Sequence, residues 1–217
     1  MRSRAPVADR LLLSADERAR ADRLRFEDDR LRFIAARAGL RQRLAALVDA
    51  DPAELEFAYG EHGKPQLAGV AADSGWQFNL SHSGDVAVLA ALPHLAVGVD
   101  IERLRAMRDR DALVRRHFSP AENTAYFALP EAQRQAGFFA AWTAKEALVK
   151  ALGQGLRFPL RSFDVAVAHQ GEGGLLTLQG RPAIHVGWSL TGWSPVPGYA
   201  AAVAAQSTRC QVLRVAS

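Results

Sequence analysis

Two carboxylates stand two residues apart in an apolar strand pattern, Val97-Gly-Val-Asp100-Ile-Glu102. Side chains of a strand alternate between its faces, so Asp100 and Glu102 share one face, which Gly98 is expected to leave open. Two like charges on one face repel each other, and a hard divalent cation relieves that repulsion. The segment therefore indicates a metal site, although an exposed strand edge with solvated acids is the alternative interpretation.

A second group of functional side chains lies in a helix pattern over about residues 135–152. Trp142, Glu146 and Lys150 recur every four residues and therefore share one helix face. A Glu–Lys pair at this spacing is also an ordinary surface stabiliser, worth about 0.2–0.5 kcal/mol. Here the row borders apolar side chains, which favours a functional role. Lys145 falls near the apolar side, where an ammonium needs a partner, and a bound phosphate would be one.

A third polar group ends a strand before Gly84 and comprises Asn79, Ser81 and His82. A structural hydrogen-bonding role is the alternative for His82. No Gly-x-Ser-x-Gly elbow surrounds these residues, so a hydrolase triad is poorly supported. Gly63-Lys64-Pro65 is too short for a Walker loop. Together the carboxylates, histidine and lysines predict a metal-assisted site for a phosphorylated substrate.

Capping-box patterns predict where two of the supporting helices begin, at Ser14 with Glu17 and at Ser119 with Glu122. Residues 14–48 are expected to form two helices, or one helix interrupted at Gly39. Further helices are expected over 103–117 and 135–152, and the second should end at Gly153. Residues 60–69 read as a loop. Strands are predicted at 54–58, 76–80, 85–92, 95–102, 162–168, 174–179, 183–190 and 199–205, with 85–92 and 95–102 paired as a hairpin.

Composition places the chain among globular proteins. Its 217 residues are 49% hydrophobic, which is enough for a substantial core, and the net charge of +4 favours acidic partners such as phosphates. A single cysteine and the lack of a long apolar run indicate a reducing compartment, a cytoplasmic location and no membrane span. Basic patches interleaved with aromatic residues are lacking, so no nucleic-acid partner is expected.

Taken in order, five segments resemble the Sfp-type 4'-phosphopantetheinyl transferases over about residues 60–156. Any one of them is a weak signal, whereas five in the family's order are highly specific. The segments are Gly63-Lys64-Pro65, Phe78-Asn-Leu-Ser-His82-Ser83, Val97-Gly-Val-Asp100-Ile-Glu102, Phe118-Ser-Pro-Ala-Glu122, and Trp142-Thr-Ala-Lys145-Glu146-Ala-Leu-Val-Lys150 with Gly153-Gln-Gly155-Leu156.

The resemblance implies an α+β fold of two pseudo-symmetric halves, residues 1–105 and 106–217, with the active site between them. It implies a monomer that transfers the phosphopantetheinyl arm of coenzyme A to a serine of an acyl or peptidyl carrier protein. The carrier would bind transiently, Mg²⁺ would be required, and adenosine 3',5'-bisphosphate would be released. The alternative enzyme is a Mg²⁺-dependent phosphohydrolase acting on coenzyme A or a nucleotide.

The resemblance also assigns roles to individual residues. Asp100, Glu102 and Glu146 would hold the metal, Glu146 would act as the base, and Lys150 would stabilise the leaving phosphate. For Glu122 two interpretations stay open, a helix-capping role and a functional role. Coenzyme A would be bound by residues from most of the matching segments and from the first helices: Arg20, Arg32, Gly63, Lys64, Pro65, Asn79, Ser81, His82, Asp100, Lys145, Glu146 and Lys150.

A carrier-docking surface is predicted beside the presumed metal site, in the segment 103–135. Its arginines would suit an acidic helix of the carrier, although a solvated charged helix is the alternative interpretation. They are Arg103, Arg105, Arg108, Arg110, Arg115 and Arg116.

Overall fold

Helices and strands mix along the chain, which confirms the predicted α+β class. The computed structural model describes residues 6–60, 63–155, 158–167, 171–172, 174–182 and 185–207. The chain forms two compact units, one of residues 1–60 and 65–76 and the other of residues 61–64 and 77–217. The predicted boundary near residue 105 differs from this division, because the strand that carries Asp100 pairs within the second unit. None of the described helices is long and apolar enough to cross a bilayer.

The first unit is built on helices and one strand pair. Its elements are α1 (Pro6–Leu11), α2 (Ala15–Asp22), α3 (Glu27–Val48), β1 (Glu56–Tyr59), β2 (Pro65–Ala68) and a 3₁₀ turn over Gly69–Ser74. The Ser14 capping box is confirmed. Of the two alternatives for residues 14–48, two helices is confirmed, whereas a break at Gly39 is wrong, since Gly39 lies inside α3 and the interruption falls at residues 23–26. Residues 65–68, expected in a loop, instead pair antiparallel with β1.

An ion-paired triad lies buried in this unit. Glu17 accepts hydrogen bonds from Arg37 and, at 2.7 Å, from the Nε of Arg41. Arg41 also donates to the carbonyls of Pro52 and Leu55. Burial opposes the charge of Glu17, but the Arg41 hydrogen bond and the Arg37 charge hold its pKa below the ordinary value of 4.5. The triad therefore fastens α2, α3 and the segment before β1 together.

The second unit packs helices against several small sheets. Its strands are β3 (Trp76–Ser83), β4 (Val86–Pro93), β5 (Val97–Arg103), β6 (Phe163–Val165), β7 (Gly171–Glu172), β8 (Leu175–Leu178), β9 (Arg181–Pro182), β10 (Ser189–Trp193) and β11 (Tyr199–Ala205). Its helices are α4 (Arg110–His117), α5 (Pro120–Ala128) and α6 (Glu131–Leu152). The sheets have the orders β5-β11-β10-β7, β3-β4 and β6-β8-β9.

Four predictions for this unit are corrected or confirmed by these elements. The expected hairpin of β4 with β5 is not among the described pairings; instead, β4 pairs with β3 and β5 pairs antiparallel with β11. The helix predicted over 103–117 begins only at Arg110. The capping box at Ser119 and the end of α6 at Gly153, which has a positive φ of 69°, are confirmed.

Candidate active site

Strand β5 and helix α6 form the frame of the candidate site. Val97, Val99 and Ile101 are buried, as the alternation predicted. Gly98 does not leave its face open; instead, it lies directly against the backbone of α6 at Ala147 and Ala151. Because no side chain separates strand and helix there, the carboxylate of Asp100 lies within reach of the helix row that carries Glu146 and Lys150.

Asp100 is the most enclosed acid of the site, with 6% of its surface exposed. Its Oδ1 accepts hydrogen bonds from the Lys150 ammonium at 2.6 Å and from the Ser81 hydroxyl at 2.9 Å. Its Oδ2 is buried without a hydrogen-bond partner among the described residues. Burial raises the pKa of Asp100, Lys150 and Ser81 oppose that rise, and the charge of Glu102 adds to it. The unpartnered oxygen is a ready ligand for a cation.

Glu102 is oriented by polar neighbours. Its Oε2 accepts hydrogen bonds from Ser83 and Arg105, each at 3.1 Å. Ser83 also accepts from the backbone N–H of Arg103, so its hydroxyl ties β3 to β5. This contact was not predicted as part of the site. The signal available in the sequence was the spacing of Ser81 and Ser83, which puts both hydroxyls on the same face of β3.

Glu146 lies beside a pocket of about 400 Å³. Burial raises its pKa, and the charges of Asp100 and Glu102 raise it further while Lys150 lowers it. The mutual effect of these carboxylates means that they lie close enough to repel each other. The pocket was not foreseen in the sequence, since its lining comes from α4, α6 and the segment after α6: Arg116, His117, Trp142, Glu146, Val149, Gly155, Phe158, Pro159, Leu160 and Arg161.

The three acids fit a hard divalent cation in type, although their side chains are not arranged as a finished site. Within the part of the chain that the structure describes, no group of three or more His, Cys, Asp or Glu side chains is positioned to hold a metal ion. Hydrogen bonds account for this, because Glu102 turns to Ser83 and Arg105 while Asp100 turns to Lys150. The unpartnered Asp100 oxygen and the mutual repulsion of the carboxylates support the fit.

The ammonium of Lys145 is paired with groups of the protein itself. Its side chain is fully buried and its ammonium lies 2.7 Å from Glu122 Oε1. It also donates to the carbonyls of Leu160 and Phe163, so all three of its N–H groups are used. The phosphate-binding role predicted for Lys145 is therefore revised to a structural one. Glu122 likewise caps α5 through the Ser119 N–H and accepts from Val165, which favours the structural interpretation of that residue.

Lys64 bridges the same strand and helix as Gly98. Its ammonium donates to the carbonyl of Val97 at 2.9 Å and to that of Lys150 at 3.0 Å. Burial lowers the pKa of Lys64. The lysine thus satisfies a carbonyl in the last turn of α6, where a positive charge also complements the helix dipole. Gly63 precedes it with a positive φ of 74°, which favours glycine.

The remaining residues predicted to bind the substrate fall into two groups. In the second unit, buried Asn79 accepts the Val99 N–H at 2.8 Å and so joins β3 to β5, whereas His82 is exposed. In the first unit, the exposed Arg20 lies over the Phe33 ring and Arg32 pairs with Asp29 at 3.3 Å. Pro65 also lies in the first unit, at the start of β2.

Comparisons with known proteins find similar sequences over most of this chain. Residues 96–204 match the 4'-phosphopantetheinyl transferase superfamily, and residues 7–94 match the family described as 4'-phosphopantetheinyl transferase, N-terminal. The 4'-phosphopantetheinyl transferase HetI of Nostoc sp. is 39% identical over 192 residues, covering 88% of this chain and 78% of HetI. A 4'-phosphopantetheinyl transferase of Bacillus subtilis is 30% identical over 76% of this chain and 71% of its own length. The Sfp enzyme of Bacillus subtilis is 28% identical over 74% and 69%, respectively.

Proposed function

Because the chain belongs to the 4'-phosphopantetheinyl transferase superfamily, we propose that it transfers the 4'-phosphopantetheinyl group of coenzyme A to a carrier-protein serine. The recipient is an acyl or peptidyl carrier protein. The serine oxygen forms a bond to the β-phosphorus, the bond to the bridging oxygen breaks, and adenosine 3',5'-bisphosphate leaves. The observation that supports this best is the meeting of Asp100 with the helix row of Glu146 and Lys150.

We assign Asp100, Glu102 and Glu146 as ligands of one Mg²⁺ ion. Carboxylate oxygens are the ligands that this ion prefers, and the buried Asp100 oxygen without a partner supports the assignment. When bound, the ion would neutralise the diphosphate and orient the β-phosphorus for in-line attack. Glu102 can turn to the ion because its two hydrogen-bond donors, Ser83 and the exposed Arg105, have water as an alternative partner.

Glu146 is the base that receives the serine proton, directly or through a water molecule. Burial and the neighbouring acids raise its pKa, so its carboxylate takes up a proton more readily than an exposed glutamate does. Glu146 also lines the pocket between α4, α6 and residues 158–161, which gives the carrier serine a place to approach its carboxylate.

The basic residues of the second unit divide between contact with the substrate and support of the site. Lys150 is half-exposed and stabilises the leaving phosphate, with Ser81 and exposed His82 holding further phosphate oxygens. Lys64 and Lys145 hold backbone carbonyls and position the helix that carries Glu146. Arg20 and Arg32 of the first unit are exposed and remain proposed contacts for the nucleotide.

The carrier docks on the arginines of α4 in this proposal. Arg110 is already paired with Asp111 and Glu131, and Arg105 with Glu102, so they offer less charge to a partner. Arg115 and Arg116 are exposed, and the guanidinium carbon of Arg115 lies over the ring of Phe127, 4.5 Å from its centre. These two residues therefore present the charge that an acidic carrier helix would meet.

Intact-protein mass spectrometry tests the proposed function. An apo carrier is incubated with this protein, coenzyme A and Mg²⁺, and it should gain the mass of one phosphopantetheinyl group. The gain should vanish with EDTA and with a carrier whose serine is replaced by alanine. Consumption of coenzyme A with no modified carrier, across several carrier types, would contradict transfer and favour the phosphohydrolase.

A further inference from the structure

Lys150 is the counter-charge of the most buried acid in the site. Its ammonium lies 2.6 Å from Asp100 Oδ1 and 3.1 Å from the Ser81 hydroxyl. The Asp100 side chain is 8% exposed and that of Lys150 is 31% exposed. A carboxylate this enclosed is costly without a positive neighbour, and Lys150 is the cation that the chain itself supplies.

The other two lysines of the chain cannot take over this task. Lys145 is held by Glu122 and two carbonyls, and Lys64 is held by the carbonyls of Val97 and Lys150. Lys150, by contrast, sits near the end of α6 with its head partly in water and a flexible four-carbon stem. It is therefore the one lysine of this chain whose ammonium can turn from its partner to water or to a ligand, and another cation must then take its place on Asp100.

A divalent cation on Asp100 would meet this ammonium at very short range. Two positive charges on one carboxylate repel each other strongly in a site with little water. Glu146, four residues before Lys150 on the same face, adds negative charge to the region but does not remove that repulsion. The cation and the Lys150 ammonium therefore compete for Asp100, even though its Oδ2 carries no hydrogen bond.

We propose that Lys150 occupies Asp100 until a divalent cation binds there, and that the displaced ammonium then pairs with the phosphates of coenzyme A. This inference rests on the proposed function for the identity of the phosphate donor. It adds that the cation and coenzyme A strengthen each other's binding, because the phosphates give the displaced lysine a new partner. By linkage, each ligand must raise the affinity for the other by the same factor.

Binding of Mn²⁺ alone, followed by electron paramagnetic resonance of the free ion, tests the exchange without any turnover. The Lys150→Met variant has no ammonium to displace, so we expect it to bind Mn²⁺ at least about tenfold more tightly than the wild-type protein. Such a gain corresponds to about 1.4 kcal/mol. Lys150→Arg keeps the charge and should bind Mn²⁺ more weakly than Lys150→Met.

Two further variants separate this effect from a general change of charge. Arg181→Gln removes one positive charge from the exposed strand β9 and should leave Mn²⁺ affinity unchanged. Replacing Asp100 by Asn in the Lys150→Met background should abolish the gain, since the ligand is lost. Circular dichroism verifies folding, and Lys150→Gln replaces Lys150→Met if the latter does not fold. Equal or weaker Mn²⁺ binding in a folded neutral variant, or no Mn²⁺ binding by any variant, would overturn the exchange.

The coupling to coenzyme A is measured in the same assay. Saturating coenzyme A should increase the Mn²⁺ affinity of the wild-type protein several-fold more than that of Lys150→Met. An equal increase in both would overturn the second half of the proposal. Failure of carrier modification with a tighter Lys150→Met site would refute the transferase alone, whereas carrier modification without that tightening would refute the exchange alone.

Discussion

Gly98 of β5 and Ala147 of α6 approach so closely that a Cβ built on the glycine would lie 2.2 Å from the alanine carbonyl oxygen. The same Cβ would lie 2.3 Å from the backbone nitrogen of Ala151. Both obstacles are helix backbone, which cannot move aside as a flexible side chain would. The spacing of strand and helix at the candidate site therefore depends on the missing side chain.

Gly98→Ala should destabilise the protein by at least about 1–3 kcal/mol, because the added methyl group forces strand and helix apart. Transfer to the carrier should fall as well, since Asp100 moves away from Glu146 and Lys150. Urea unfolding and the carrier assay measure the two effects. Gly39→Ala is the matched control, because a Cβ added there meets no atom within 4 Å beyond the adjacent residues and the backbone of its own helix, and an interior helix position gains about 0.5–1 kcal/mol from alanine.

Asp100→Ala should abolish transfer while leaving the fold intact. The variant removes a proposed metal ligand and the partner of Lys150, whose head is partly exposed and can turn to water. We expect the rate to fall by at least about 100-fold, as when a charged group at a transition state is lost. Carrier modification is followed by mass spectrometry and the fold by thermal unfolding. Near-normal transfer by the folded variant would refute the assignment of Asp100 as a metal ligand.

Removal of the Lys145 charge should be far more damaging to stability than removal of both charges of its pair. Lys145→Met leaves Glu122 buried and uncompensated, which costs about 3–5 kcal/mol. In the Glu122→Gln/Lys145→Met double variant most of this loss should be recovered, because no unpaired charge stays inside. A double-mutant cycle by urea unfolding gives the coupling energy. Additive losses would mean that the pair does not act as a unit.

Acid should weaken the first unit through Glu17. The pKa of this carboxyl is lowered in the folded protein, so the unfolded state takes up its proton first as the pH falls. The stabilisation that ionised Glu17 contributes is fully present above its ordinary pKa of 4.5. It is lost as the pH falls through the lower pKa of the folded state. Glu17→Gln should be less stable than wild type at pH 7, and the gap should narrow on acidification. Urea unfolding at pH 7 and at an acidic pH, each followed by circular dichroism, measures the difference in the free energy of unfolding between the two proteins. A gap independent of pH would contradict it.

Charge reversal at Arg115 and Arg116 should raise the KM for the carrier by about tenfold, with a smaller effect on the KM for coenzyme A. The rise in the carrier KM should become smaller as salt is added, because these guanidinium groups are exposed and salt screens their charge. Arg181→Glu on β9 reverses a charge elsewhere on the second unit and serves as the control. An unchanged carrier KM in the double reversal would place the docking surface elsewhere.

Local sequence signals predicted the parts of this fold that depend on neighbouring residues. The capping boxes at Ser14 and Ser119, the end of α6 at Gly153 and the burial of Ile101 between two acids all follow from short-range rules. Gly39 misled the prediction for α3, since an interior glycine costs less than the buried side chains around it stabilise.

Partners distant in sequence could not be predicted. Lys145 was correctly placed near the apolar side, but nothing near it in the chain indicates that Glu122, Leu160 and Phe163 would use all its donors. The contact of Lys64 with the end of α6 is equally hidden, as is the choice of β11 rather than β4 as the hydrogen-bonded partner of β5. Such contacts are fixed by how the elements pack, which a pattern of residue types does not encode.

The pairing of β5 with β11 also bears on how the protein is made. Asp100 stands opposite Ala202, a residue that leaves the ribosome only after the whole of α6 and the strands that follow it. During synthesis the helix and its acids emerge early, but the strand that carries Asp100 waits for a neighbour encoded near the other end of the described chain. Pairing across so long a stretch is slow relative to helix formation. The acidic and basic residues of the candidate site are therefore all synthesised well before the strand that carries Asp100 has its hydrogen-bonded neighbour.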